Sequence, residues 1–259
     1  MASKSVILGV VGGAAAGLGL GFAVASKALA KKATKKSLLK PRVYIYDHCP
    51  FCVRVRMIFG LKGVDVELAP LANHDEATPI GLVGSKVVPI LETPEGVVIP
   101  ESMDIVRYVD SHYGGKSILA EADPSREDLK KWIQDSAECM RHLYHPRFHA
   151  GFLPEFAQEA SRVYYKTKKE KSIGSFEDAI AKSPEYVAQL NAYLVQLESI
   201  LKKPHSVNDT LSYDDIDLFG RLRGLTIVKN VVWPPAVREY IDHFSRVCDI
   251  PLLDSIAQF

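Results

Sequence analysis

The segment Cys49-Pro50-Phe51-Cys52 constrains this chain more than any other, because of what flanks it. Val43 to Tyr46 is a short alternating apolar run, the pattern of a strand. Beyond the cysteines, Val55, Ile58, Phe59 and Leu61 recur at helical spacing and Gly63 supplies a stop, which predicts a helix over 50–61. Pro50 then occupies the first helical position, where its missing N–H costs nothing. Cys49 faces the N-terminus of that helix, where unpaired N–H groups and the positive end of the dipole favour a thiolate. Arg54 and Arg56 are expected to add positive charge nearby. Cys52, one turn on, is placed to attack a disulfide formed on Cys49 and displace its partner.

A Cys-x-x-Cys pair can also be half of a zinc site, but structural zinc needs four ligands. The other two cysteines, Cys139 and Cys248, are far apart in sequence and form no second pair. The strand-to-helix setting with a helix-starting proline is the redox form of the motif. Four cysteines in 259 residues do not make a disulfide scaffold, so a reducing compartment is expected. A second cluster, Cys139, His142, His145 and His149, has spacings that share a helix face. Pro146 is expected to interrupt that helix, and no carboxylate lies on the same stripe, so no metal is assigned there.

The net charge of +1 conceals an asymmetry. Residues 1–46 hold eight Lys or Arg and no acid, and the remaining 24 bases against 31 acids leave 47–259 at −7. An acidic body argues against nucleic-acid binding. Val6 to Ala25 is twenty residues without a charge, about the length of a membrane-spanning helix. Gly9, Gly13, Gly17 and Gly21 recur every fourth residue, an arrangement that lets helices approach closely in lipid and points to insertion and self-association. The lysines that follow place the body on the cytosolic, reducing side of such a membrane. A cleaved signal, an organelle-targeting leader or a Gly/Ala-rich arm on a cytoplasmic protein are the competing readings.

From Val43 the pattern gives strand 43–46, helix 50–61, strand 64–68, a short helix near 78–83, strands 87–91 and 96–100, and a helix opening at Glu101-Ser102. That order implies a mixed sheet of about four strands covered by helices. Pro89 removes a ladder donor; a cis Val88–Pro89 bond would turn the Val88 backbone outward as a dock for a peptide. From Ser125 onward the pattern is all helical. A helix runs from Ser125 to about Tyr144, and Lys166 to Lys171 reads as a basic turn. Another starts at Ser183-Pro184 with Leu190, Leu194 and Leu197 on one stripe. A capping box, Ser212 to Asp215, opens a further one. The expected division is 1–40 leader or anchor with a basic linker, 41–113 sheet domain, 114–124 linker, and 125–259 helical domain.

Taken together, Tyr46-Asp47-His48-Cys49-Pro50-Phe51-Cys52, Val88-Pro89-Ile90-Leu91 and Pro100-Glu101-Ser102-Met103-Asp104, with Leu211 to Leu225 and Trp233-Pro234, resemble the glutaredoxin 2 family. The resemblance runs from about Arg42 to the C-terminus. It implies an α/β thioredoxin-like domain followed by an all-α domain of the glutathione-transferase type. It further implies a glutathione-dependent disulfide oxidoreductase acting on glutathionylated or disulfide-containing proteins, with Cys49 as nucleophile and Cys52 as resolving thiol. Tyr46, Pro50, Phe51, Val88, Pro89, Glu101 and Ser102 would contact glutathione, and no metal is implied. Alternatives are a membrane-associated prostaglandin-E-synthase-like or omega-type glutathione transferase and, as a non-enzyme, a chloride-intracellular-channel-like membrane-inserting protein. Against the last, Cys52 is present and the apolar run precedes the sheet domain.

Overall fold

A computed structural model describes residues 38–258. The leader 6–25 and its four glycines lie outside the described residues. The first half is β1 (Arg42–Ile45), α1 (Pro50–Leu61), β2 (Glu67–Pro70), α2 (Ala77–Val83), β3 (Ile90–Glu92), β4 (Val98–Pro100) and α3 (Ser102–His112). The four strands form one mixed sheet in the order β2-β1-β3-β4, with β1 parallel to β2 and antiparallel to β3. Val43 sits at its centre, level with Leu68 on one side and Leu91 on the other. This is the mixed four-stranded sheet that the alternation of patterns implies, and the thioredoxin-like half that the family resemblance implies.

Three strands start later than predicted, the last of them β4 at Val98 instead of Gly96. Val64 N–H still bonds the Phe59 carbonyl as α1 closes, and pairing with the sheet begins only where Glu67 N–H reaches Pro41 O. Val87, Val88 and Pro89 precede β3, since Pro89 has no N–H to give a ladder. The Val88–Pro89 peptide is cis.

The second half is helical: α4 (Glu127–Ala150), a 3-10 turn (Pro154–Phe156), α5 (Glu159–Ile173), α6 (Phe176–Ala181), α7 (Ser183–Ile200), α8 (Tyr213–Arg223) and α9 (Pro235–Cys248). Leu190, Leu194 and Leu197 form the buried stripe of α7. The capping box of α8 is made in both directions, with Ser212 and Asp215 exchanging backbone and side-chain hydrogen bonds.

Two expectations fail here. Pro146 does not end its helix: α4 continues to Ala150. A proline inside a helix costs about 3 kcal/mol, but His145, Pro146, Arg147 and Phe148 are all buried, and Arg147 Nη1 caps the Leu143 carbonyl at 2.7 Å. Tertiary burial outweighs the local penalty. The four candidate metal-ligating side chains of this helix have separate partners: Cys139 donates to Ser136 O, His142 contacts Glu138 O and Ile173 O, His145 contacts Tyr165 Oη, and His149 packs on Phe176. Lys166 to Lys171 is not a turn either but the middle of α5.

The two halves share one core along α1. A Cβ at Gly60 would lie 2.5 Å from Cys248 Cα of α9, and one at Gly220 of α8 would lie 2.7 Å from the Pro50 carbonyl. Only glycine permits these approaches. Lys62, buried at the end of α1, holds the connection to the helical half by donating to Asp110 O at 2.8 Å and Lys116 O at 2.6 Å.

Candidate active site

Cys49 is the N-cap residue of α1 and Pro50 follows at its first position, as the sequence predicts. Both cysteines are free thiols. Cys49 retains 8% exposure and Cys52 none. The Cys49 thiol is held down at about 6, chiefly by a hydrogen bond with Cys52 and against the cost of burial; His48 and the backbone N–H groups of Cys52 and Phe51 lower it further. Burial pushes Cys52 well up, and the hydrogen bond with Cys49 adds to the effect. One sulfur is thus prepared as an anion and the other as its donor. Tyr46 N–H also approaches Cys52 Sγ at 3.4 Å.

The expected contribution of Arg54 and Arg56 is corrected. Arg54 is paired with Asp217 of α8 and donates to Ser102 Oγ at 3.1 Å, while Arg56 bonds Asp47 at 2.5 Å. Both are held by carboxylates, that of Asp47 being shared with Arg223, and the adjacent side chain whose charge lowers the Cys49 thiol is His48. Three residues of this segment are tied to the helical half: Asp47 to Arg223 at 3.0 Å, His48 to Glu155, and Arg54 to Asp217.

Cys49 opens into a cleft of about 830 Å³. Of the nine predicted site residues, Tyr46, Cys49, Phe51, Val88, Pro89, Glu101 and Ser102 line it. Cys52 lies beneath, and Pro50 borders a smaller cavity of about 80 Å³ between α1, α4 and α8. Val88 N–H and C=O join no hydrogen bond among the described residues, so a strand edge one residue long faces the cleft. Glu101 has φ 70°, an uncommon backbone for a non-glycine residue, and is exposed at the start of α3. Such outliers cluster at ligand clamps.

The opposite wall was not legible as part of a site. Tyr164, Tyr165, Lys168, Lys169 and Ser172 of α5 reach the cleft together with Lys86. Lys86 Nζ lies 3.6 Å and Lys168 Nζ 4.6 Å from the Tyr164 ring centroid. The signal was present: Tyr164 and Lys168, and Tyr165 and Lys169, are each four apart and so share a helix face.

Comparison with known proteins agrees with this geometry. The family profile "Glutaredoxin 2, C terminal domain" matches residues 128–257, and "Glutathione S-transferase, N-terminal domain" matches 48–112. Glutaredoxin 2 of Escherichia coli is 42% identical over 83% of this chain and 99% of its own length. The crystal structure of glutaredoxin 2 from Salmonella typhimurium in complex with glutathione superposes with a TM-score of 0.80, at 42% identity, over 84% of this chain and 99% of that one. A glutathione S-transferase of Ceriporiopsis subvermispora shares the fold at 17% identity with a TM-score of 0.61, covering 80% of this chain and 97% of its own. A cysteine pair at a helix start, a thioredoxin-like half and a helical half joined along α1 all agree with the match: the chain belongs to the glutaredoxin 2 family.

Proposed function

We propose that the protein is a glutathione-dependent thiol-disulfide oxidoreductase. The observation that carries this reading is the division of labour between Cys49, ionised and facing the cleft, and Cys52, protonated and buried behind it. At pH 7 a thiol titrating near 6 is about 90-fold richer in thiolate than one near 9, while its intrinsic nucleophilicity falls by about 16- to 30-fold. The balance is a gain of roughly threefold to sixfold in attack. The larger benefit comes later, because the same low basicity makes Cys49 a good leaving group.

Glutathione fits the cleft by chemistry. The Val88 backbone offers one donor and one acceptor to the cysteinyl residue of the tripeptide. The Glu101 carboxylate suits the γ-glutamyl ammonium, and the Ser102 hydroxyl with the first N–H groups of α3 suits its carboxylate. Lys86, Lys168 and Lys169 give the far wall positive charge for a second carboxylate. Cys49 attacks the glutathione sulfur of a mixed disulfide and the protein thiol leaves. A second glutathione or Cys52 then releases Cys49. The sheet half, 41–113, would thus supply the redox segment, and the helical half, 125–259, the wall opposite.

The test is glutathione-disulfide formation from a glutathione mixed disulfide. Cys49→Ser should abolish turnover, and retained turnover would remove the assignment. Cys52→Ser should keep deglutathionylation and lose dithiol reduction; equal loss of both would contradict the division of labour. Inactivity of the wild type with intact thiols would favour a transferase of the omega type. The leader is proposed as a membrane anchor on the strength of its uncharged length and glycine spacing. No helix among the described residues is long and apolar enough to cross a membrane. Carbonate-resistant pelleting of the full chain, lost when the chain starts at Lys40, would support the anchor; equal behaviour of both would refute it.

A further inference from the structure

His48 directly precedes the nucleophile and lines the cleft, yet the exchange chemistry above gives it no proton to move. Its ring is held on all sides. Tyr46 stacks on it at 5.8 Å, and Phe148, Phe156 and Tyr165 surround it at 5.1, 5.2 and 5.2 Å between ring centroids. Its Nδ1 contacts Glu155 Oε1, and the same oxygen accepts the His48 backbone N–H at 2.9 Å. Glu155 is fully buried, and its Oε2 has no hydrogen-bond partner among the described residues. The helical half therefore buries a carboxylate whose polar partner is this histidine. Asn73 N–H bonds the Glu155 carbonyl at 2.9 Å, which fixes the turn that carries it.

A carboxylate on Nδ1 fixes the tautomer: Nδ1 keeps its proton and Nε2 is the nitrogen that gains or loses one. Nε2 has no hydrogen-bond partner among the described residues, and the ring borders the cleft that holds Cys49. The other titratable groups around it are Tyr46 just after β1, Cys49 at the N-cap of α1, Cys52 within α1, Tyr165 from α5 and, through the Tyr165 hydroxyl at 2.6 Å, His145 from α4. None of these competes for Nδ1.

We propose that His48 is the general acid–base of the exchange reaction, with Glu155 as the residue that orients it. The assignment rests on the glutathione-dependent exchange proposed above. In the first half-reaction the Cys49 thiolate forms a bond to the glutathione sulfur and the disulfide bond of the substrate breaks. The electron pair goes to the departing protein sulfur, which takes a proton from Nε2 of the imidazolium. In the second, neutral His48 takes the thiol proton of the incoming glutathione. That sulfur attacks the glutathione sulfur bound to Cys49, glutathione disulfide leaves, and Cys49 returns as thiolate. Over the two steps one glutathione thiol is oxidised into glutathione disulfide, the protein sulfur of the mixed disulfide is reduced to a thiol, and the proton lent in the first step is recovered in the second.

The experiment uses a series of mixed disulfides of glutathione with thiols of increasing basicity, from an acidic aromatic thiol to a simple alkyl thiol. A protein that protonates its leaving group is insensitive to that basicity; one that does not is sensitive. His48→Gln should slow the alkyl thiol at least tenfold more than the aromatic thiol in single turnover, over and above the loss common to both that a less acidic Cys49 brings. Glu155→Gln should show the same graded loss, and nitrogen NMR of the His48 ring should show its tautomers redistributed. Uniform loss across the series, or an unchanged tautomer, would overturn the proposal. Should either variant fail to fold, the wild type decides alone: a steep dependence on leaving-group basicity would refute an acid at Nε2. A wild type inactive on every member of the series, with Cys49 still alkylatable, would instead refute the oxidoreductase reading.

Discussion

Gly220→Ala sets two effects of opposite sign against each other where the helical half meets α1. Alanine is the better helix former by about 1 kcal/mol in a helix interior, and Gly220 lies inside α8. Its new methyl group would stand 2.7 Å from the Pro50 carbonyl oxygen and 3.2 Å from Arg54 Cγ. Ordinary contact begins at 3.4 Å, so α8 and α1 must separate by roughly 0.7 Å. The obstacle is main chain, which cannot rotate away, and the pair Arg54–Asp217 clamps the same two helices. Overpacking of this kind costs about 1–3 kcal/mol, and the rigid neighbours place it at the upper end. The net expectation is a loss of about 2 kcal/mol, or about 4–8 °C in melting temperature at about 2–4 °C per kcal/mol for a chain of this size. Gly81→Ala is the internal control: it lies in α2 with nothing within 4 Å of its added methyl. It should raise the melting temperature by about 2–4 °C, the helix-propensity gain alone. Paired thermal and urea denaturation reads both. A Gly220→Ala protein as stable as the wild type would refute the close helix approach.

The rate of Cys49 alkylation by iodoacetamide should rise with pH through about 6 and then level off. Burial pushes Cys139 up to about 11 and Cys248 up to about 12, so below pH 8 mass spectrometry should find label on Cys49 alone; comparable labelling of Cys139 or Cys248 would contradict the burial. Asp47→Asn should destabilise by about 3–5 kcal/mol, because it strips Arg223 of its carboxylate in the interior. Burial alone would raise the Asp47 carboxyl, but Arg223 and Arg56 outweigh it and hold the group below its usual value. Its contribution to stability is therefore complete above the unfolded carboxyl value of about 3.9 and disappears as pH falls through the lower folded one. The wild type should lose stability on that acid limb more steeply than Asp47→Asn, and parallel curves would show the pair to be inert.

What could be read along the chain and what could not divide by distance in sequence. The bounds of α1 follow from Pro50 and a 3.6-residue repeat, the stripe of α7 from its leucines, and the start of α8 from Ser212 and Asp215 exchanging bonds three residues apart. These are local forces, and they leave local marks. Val88, Glu101 and Ser102 were legible because they match a family pattern, although nothing within a few residues explains their meeting at Cys49. Glu155 gave no signal. A lone glutamate after Leu153-Pro154 looks like any surface acid, and its role depends on His48, 107 positions earlier. The same holds for Arg223 and Asp47, 176 apart. Pro146 misled for the converse reason, since a strong local preference yielded to packing against distant residues.

Because Asp47, His48 and Arg54, which flank Cys49, take their partners from carboxylate and guanidinium groups encoded a hundred residues or more downstream, the motif is not portable. Excised as a minimal module, or transplanted onto a one-domain scaffold, Cys-Pro-Phe-Cys would keep its spacing while its neighbours Asp47, His48 and Arg54 lost their partners. An engineer who wants this thiol must carry Glu155, Asp217 and Arg223 along with it.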